Sequence, residues 1–270
     1  MKEQKLELLV SAVNETPAAL AEKMNISTDA VIINQCDHFA YEEFSRCGHL
    51  IRAWSLRERG VGLSRNNALM RAQGDICLFA DEDIRYADDY GSAVLAQFAA
   101  HPEADMLLFQ VDVCEKRRTY HIDRYGRVRL YNCGRYPAYS FALRREVMHR
   151  KNISFSLLFG GGARYSNGED SLFIRDCIRS GMRVYKTPVT IGREEEREST
   201  WFSGYHDKFF FDRGVLYESL YGKLAKPIAL QFLLRHRRVM CREIPVWRAY
   251  AIMCDGLREA RGRTGAGNTG

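Results

Sequence analysis

Hydrophobic and polar positions switch between two periods over the first hundred residues. Short apolar runs predict strands: KLELLVSAV at 5–13, DAVIIN at 29–34, HLIRAWSL at 49–56, DICLFA at 75–80 and ADMLLFQVDV at 104–113. Between them lie segments with near-helical spacing. Thr16-Pro17 offers a helix start that runs on through AALAEKM. A second helix is predicted over 62–74, with Leu63, Ala68, Leu69 and Ala72 on one face and Gly74 as its stop. A third follows through YGSAVLAQFAAH. Strands alternating with helices predict an α/β fold, a mostly parallel central sheet flanked by helices. Ligands of such sheets bind beyond the carboxyl ends of the strands.

Past residue 115 the pattern loosens. RTYHIDRYGRVRLYN reads as two short strands around a Tyr125-Gly126 turn, and FALRREVMH as a short helix. FGGGARYSNGED is a glycine-rich loop. DSLFIRDCIRSG then predicts a helix with Leu172, Ile174 or Phe173, Cys177 and Ile178 inward, stopped at Gly181. Near the C-terminus Trp247, Tyr250, Ala251, Cys254 and Leu257 share one helical face, preceded by PIALQFLLRHRRVMCR with Arg235, Arg237 and Arg238. This divides the chain into a main domain over 1–215, a basic amphipathic helical extension over 216–263 and a disordered tail over 264–270.

With 270 residues, 46% of them hydrophobic, the chain can bury a sizeable core. No run approaches the ~20 apolar residues that span a bilayer. The start, MKEQKLELLVSAVNE, reads as a first core strand and not as a signal peptide. The eight cysteines are scattered without a C-x-x-C pair, which suits buried cytosolic thiols better than disulfides or a zinc site. Net charge is +6, unevenly placed. Residues 222–263 hold ten Lys/Arg against three Asp/Glu, while the rest has 30 basic and 31 acidic residues. A neutral body with a basic tail argues against a broad nucleic-acid surface. It points to an anionic partner, such as the inner face of a membrane, at the C-terminus. Two packed helices with solvated arginines account for the same pattern.

The predicted strand at 75–80 ends on Asp81, Glu82 and Asp83, three acids that repel unless a cation or donors sit among them. Phosphate-loop and dinucleotide signatures are absent: Gly160 to Gly162 lack the lysine and spacing of the first, and no G-x-G-x-x-G follows the first strand. The stretch ERGVGLSRNNALMRAQGDICLFADEDI resembles the central signature of glycosyltransferase family 2 through Gly62, Ser64, Arg65, Asn66, Ala72, Gly74, Asp81 and Asp83. GEDSLFIRDCIRSG resembles that family's E-D motif, and ESTWFSGY a segment of its capsule and exopolysaccharide members. The similarity covers residues 5 to about 215.

The resemblance implies a GT-A-type fold and an inverting, metal-dependent transfer of sugar from a nucleotide-sugar donor to a surface-polysaccharide or lipid-linked glycan. A divalent cation, Mn2+ or Mg2+, would sit at Asp83, with Asp81 near the ribose or a metal-bound water, because hard carboxylate oxygens suit such ions. Arg65 would pair with the diphosphate. Asp170 would be the general base and Glu169 would position the acceptor; an acidic helix start favoured by the dipole accounts for the same two residues. Ser11 and Asn14 match a nucleotide-facing strand end. Where the family often carries an aspartate pair against the base, this chain has Asn34 and Gln35, with Asp37 the nearest acid. Amides can pair with a uracil edge, so a UDP-sugar remains the default donor. His206 could reach a metal, but a lone histidine beside three phenylalanines is more often structural. A nucleotidyltransferase would need a glycine-rich basic loop after the first strand, and VSAVNETPA has neither Gly nor Lys/Arg. A non-catalytic glycan-assembly protein is separated from an enzyme only by a transfer assay.

Overall fold

A computed structural model of the chain describes residues 4–114, 120–195 and 204–266. The first half follows the expected alternation: β1 (Leu6–Val13), α1 (Pro17–Lys23), β2 (Asp29–Gln35), β3 (Ala40–Arg46), β4 (His49–Leu56), α2 (Val61–Arg71), β5 (Ile76–Asp81), β6 (Ile84–Tyr86), α3 (Tyr90–Ala100) and β7 (Met106–Asp112). The second half adds β8 (Gly126–Arg127), β9 (Phe141–Arg144), α4 (Arg145–Lys151), α5 (Glu169–Arg179), β10 (Val184–Glu194), α6 (Asp207–Tyr221), α7 (Ala225–Met240) and α8 (Val246–Ala266).

One sheet runs in the order β3-β4-β2-β1-β5-β9-β7-β10-β6, with β8 pairing on β10. Strands β4, β2, β1 and β5 are mutually parallel, as are β7 and β10. Both faces are covered, so alternate residues of one strand enter different cores. Leu8 and Val10 pack with Leu20, Tyr90 and Phe98 on one face. Leu9, Ile33 and Phe79 pack with Ala68, Phe155 and Phe173 on the other. From β1 the chain moves outward to β2 and β4, then returns through α2 to β5 on the opposite flank of β1. That reversal makes the β1/β5 boundary a crevice at the carboxyl edge. In register there, Ser11 lies opposite Asp81.

Several elements depart from the sequence expectation. The predicted strands around Tyr125 reduce to Gly126–Arg127 among the described residues, because neighbouring groups bond to side chains instead of a ladder. The Ile122 N–H donates to Gln110 Oε1 at 3.0 Å and the Val111 N–H to the Tyr120 hydroxyl at 3.2 Å. FALR is a strand, antiparallel to β5 and β7 and buried between them, and only the residues after it are helical. β3 and β10 were not anticipated. β3 is a charged, largely exposed edge strand with little apolar pattern, and β10 carries Pro188 within a register shift.

The C-terminal helices form a third core with Phe159, Tyr165 and Leu172. The boundary expected at 215 therefore falls inside α6, and residues 264–266 continue α8, while 267–270 lie outside the described residues. The inward face of α8 is Ala249, Met253, Leu257 and Ala260; Trp247 is 74% exposed, so only Leu257 of the expected face is buried with them. Backbone proximity decides which face turns in. A Cβ on Gly214 of α6 would stand 2.1 Å from the Met253 carbonyl oxygen, and one on Gly256 of α8 2.2 Å from that of Phe211. These reciprocal glycines let the two helices cross at backbone contact.

Candidate active site

The first turn of α2 buries polar residues where an amphipathic helix would bury apolar ones. Gly62, Ser64 and Arg65 are buried, while Leu63 is only half so. Each has a task. A Cβ on Gly62 would lie 2.4 Å from the Ser156 carbonyl oxygen, so only glycine lets the 155–156 backbone lie against the helix. Ser64 Oγ donates to Ser11 Oγ at 3.1 Å, tying α2 to the end of β1. Asn66 grips Phe155 from both sides, donating to its carbonyl at 2.9 Å and accepting its N–H at 2.8 Å.

Arg65 is 3% exposed and gathers the acids of both motifs. Its Nη2 donates to Asp81 at 2.9 and 3.2 Å; its Nη1 donates to Asp170 at 2.8 Å and Glu169 at 3.2 Å. Its guanidinium also lies over Phe155, 5.3 Å from the ring centre. Where the resemblance implied a diphosphate, Arg65 spends its fork on three carboxylates. Burial disfavours its charge, yet Asp81, Asp170 and Glu169 together raise its pKa further above the ordinary range.

The three acids after β5 divide their work. Asp81 faces Arg65. Glu82 turns away and accepts the Val13 N–H at 2.6 Å, closing the end of β1. The Asp83 carbonyl accepts the Glu195 N–H at 2.8 Å, fastening this turn to the end of β10. Asp170 opens α5 beside Glu169. Withdrawal from water pushes its carboxyl up to about 8, Glu169 and Asp81 add to the rise, and Arg65 and the Ala138 backbone oppose it. The Glu169 carboxylate lies against Gly160, where a Cβ would be 2.7 Å from Glu169 Cδ; Gly160 has φ +102°. The glycine-rich loop is thus a close-fitting wall, joined to α2 by the Val61 N–H donating to the Gly161 carbonyl at 2.9 Å.

The residues expected on the nucleotide side fare differently. Ser11 is buried beside Asp81 and bonded to Ser64, as given above. Asn14 is exposed in a left-handed turn (φ 54°) at the end of β1. Asn34 turns its amide to the backbone. Its Oδ1 accepts the Glu15 N–H at 3.0 Å, and its Nδ2 donates to the Glu15 carbonyl at 2.8 Å and Ser55 Oγ at 3.3 Å. Gln35 Oε1 likewise accepts the Gly60 N–H at 2.7 Å. Both amides are structural because they sit at buried strand ends with backbone groups to satisfy. Asp37 is exposed and accepts from His38 Nδ1 at 3.0 Å, with His38 drawing its pKa down. Two further cations stand at this edge. Arg57 donates to the Asp37 carbonyl, and Arg59 to the Cys36 carbonyl at 3.3 Å and Asn14 Oδ1 at 3.5 Å. Their signal was the RERG stretch directly before α2.

Among the described residues, one group of three His, Cys, Asp or Glu brings its ligand atoms within 4.8 Å of one another: Cys36, Asp37 and His38, the last two exposed. Asp81, Glu82 and Asp83 form no such cage. Their chemistry still fits a hard divalent ion, which takes one or two carboxylates and completes its shell with phosphates and water.

Several solved structures share this architecture. S. aureus TarS 1–349 in complex with UDP-GlcNAc aligns with TM-score 0.59 at 16% identity, covering 88% of this chain and 74% of that one. The chain has the fold of a GT-A glycosyltransferase. TarS 1–349 in complex with UDP aligns with TM-score 0.58 at 15% identity, covering 88% of this chain and 73% of that one. A mannosyltransferase from Pyrobaculum calidifontis in complex with GDP-Man and Mn2+ aligns with TM-score 0.50 at 15% identity, covering 96% and 76%. No protein-family model and no curated protein matches the sequence. The expected ESTWFSGY segment lies largely outside the described residues, and no described helix is long and apolar enough to cross a membrane.

Proposed function

We propose that this chain is an inverting glycosyltransferase that takes a sugar from a nucleotide diphosphate donor, a UDP-sugar by first assignment, and passes it to a surface-polysaccharide or lipid-linked glycan hydroxyl. One observation carries the reading. Arg65 joins the acid at the end of β5 to the acids opening α5, so donor-side and acceptor-side carboxylates meet at the β1/β5 crevice. Neighbouring structures hold UDP-GlcNAc, or GDP-Man with Mn2+, in proteins of the same fold.

In this reading the exposed Arg57 and Arg59, with the Asn14 turn, face the donor's nucleotide half at the carboxyl edge. Asp83 and Asp81 would hold Mn2+ or Mg2+, which when bound neutralises the departing diphosphate as a Lewis acid. Asp170 accepts the proton of the acceptor hydroxyl as that oxygen attacks the anomeric carbon. Glu169, fixed between Arg65 and Gly160, sets the position of Asp170 and of the acceptor. A single displacement with one base inverts the anomeric configuration. The buried, charge-rich set around Asp170 supports a base that ionises near working pH and not a permanently ionised cap.

The test is a thermal-shift panel of nucleotide sugars with and without Mn2+, followed by an assay of nucleoside diphosphate release with acceptor glycans. Metal-dependent stabilisation by one donor, with transfer lost in Asp170→Asn, is expected. Stabilisation by nucleoside triphosphates with pyrophosphate release would replace this reading by nucleotidyl transfer.

A further inference from the structure

The outward face of α7 carries an arrangement that neither the fold nor the catalytic site requires. Ala225, Ala229 and Leu233 seat the helix on the third core. With about 100° between successive residues, Leu230 and Leu234 fall on the opposite side, in line with Pro227. They are 39% and 46% exposed. Arg237 and Lys226 flank this line on one side and Arg238 and Arg235 on the other, all exposed. Leu224, in the turn before α7, adds a further exposed apolar side chain.

Charge sets this face apart from its neighbour. Between Glu218 and Glu243 there is no acidic residue, against six Lys/Arg. The arginines of α8 are paired: Arg248 with Asp207 at 3.1 Å, Arg261 with Glu218 at 2.9 Å and Arg263 with Glu259 at 3.1 Å. On α7, Lys226, Arg235, Arg237 and Arg238 pair with no carboxylate among the described residues. Exposed leucines rimmed by unneutralised cations complement a layer that is anionic at its surface and apolar just beneath.

We infer that the outward face of α7 docks on an anionic lipid surface, with Leu230 and Leu234 entering the headgroup boundary and Arg235, Arg237 and Arg238 against lipid phosphates. The sequence pattern offered Arg235, Arg237 and Arg238 for the charge and the Trp247 face of α8 for the apolar part; α8 turns its apolar side into the protein, and Leu230 and Leu234 of α7 take that part beside the same arginines. The third core also contains Leu172 of α5, so a docked α7 fixes the orientation of the helix bearing Asp170 relative to the surface. The inference stands apart from the transferase assignment, because lipid binding is read without turnover.

Sedimentation of the full chain with vesicles of phosphatidylcholine alone, or of equimolar phosphatidylcholine and phosphatidylglycerol, at low and high salt tests it. The parent should bind only the anionic vesicles, less so at high salt. The triple variant Arg235→Ser, Arg237→Ser, Arg238→Ser should bind about a hundredfold more weakly, from the contribution of each basic residue at such a surface. Leu230→Ser with Leu234→Ser should also release the protein, and thermal melts of both variants should match the parent because the positions are exposed. Absence of binding by the parent, equal binding to both vesicles, or unchanged binding of either variant overturns the inference. So does a dimer in solution that the leucine variant dissolves, which would assign the face to a second copy of the chain.

Discussion

Replacing Arg65 by methionine tests whether one buried cation holds the acids of β5 and α5 together. The guanidinium is almost fully enclosed and touches Asp81, Glu169 and Asp170 at 2.8 to 3.2 Å. Removing one partner of a buried ionic set costs about 3–5 kcal/mol, because the remaining charge stays buried without compensation. Asp81 and Asp170 keep side-chain exposures of 30% and 23%, so water offsets part of the loss and the lower end, about 3 kcal/mol, is expected. For a chain of this size that lowers Tm by roughly 6–12 °C. pH supplies a second handle. In the parent, the Asp170 carboxyl titrates near 8 when folded against an ordinary value of 3.8. The folded state therefore binds more protons than the unfolded state between about pH 4 and pH 8, and stability falls as pH rises through that window. Without Arg65 three carboxylates repel one another, and protonation relieves the repulsion. The variant should then lose stability more steeply with rising pH, its deficit narrowing in acid and widening in mild alkali. Urea unfolding followed by circular dichroism at acidic, neutral and mildly alkaline pH measures both effects. A deficit under about 1 kcal/mol that is constant with pH would refute the hub. Arg65→Lys keeps the charge but not the fork that spans β5 and α5, and should recover only part of the loss.

Other substitutions separate the remaining roles. Asp170→Asn cannot accept a proton, so turnover should fall ~10²–10⁴-fold with donor affinity nearly intact, and the donor-free protein should become more stable above about pH 8, where a buried charge has been removed. Loss of donor binding in parallel would make Asp170 a structural cap. Asp83→Asn should abolish metal-dependent binding of UDP in calorimetry, since an amide brings one weak oxygen and no charge; unchanged affinity and metal dependence would remove Asp83 from the site. Gly214→Ala places a methyl 2.1 Å from the Met253 carbonyl and should cost about 1–3 kcal/mol in urea unfolding. A neutral result there would mean that α6 and α8 can separate without cost.

The parallel half of the fold was legible because its elements are locally self-consistent. β1, β2, β4, β5 and β7 are near-continuous apolar runs, and the helices between them carry Pro17 at a start or Gly74 just past a stop. Legibility fails where the structure is set by distant partners. Phe141 to Arg144 became a strand because β5 and β7 leave a gap that it fills in antiparallel register. The inward face of α8 was misplaced because two glycines, not the larger apolar residues, determine how closely α6 approaches.

The site shows the same limit in chemical form. Spacing placed Asp81 at a strand end and Asp170 at a helix start, and both lie where expected. Spacing could not show that Arg65 points between them, since a helical arginine next to a phosphate-binding edge and one buried among carboxylates look alike in sequence. Asn34 is similar: its amide suits a uracil edge, but a buried strand end has backbone groups to satisfy first, and Glu15 takes both sides of the amide. With Asn34 and Gln35 committed to the backbone, the exposed groups at the same edge are Asn14, Asp37, Arg57 and Arg59, and under the proposed function any reading of the base would fall to them. Of these, Arg57 and Arg59 would act on a diphosphate whatever its base. On that proposal the electrostatics of this edge would favour donor capture over base selection, with the acids gathered by Arg65 set apart from that choice.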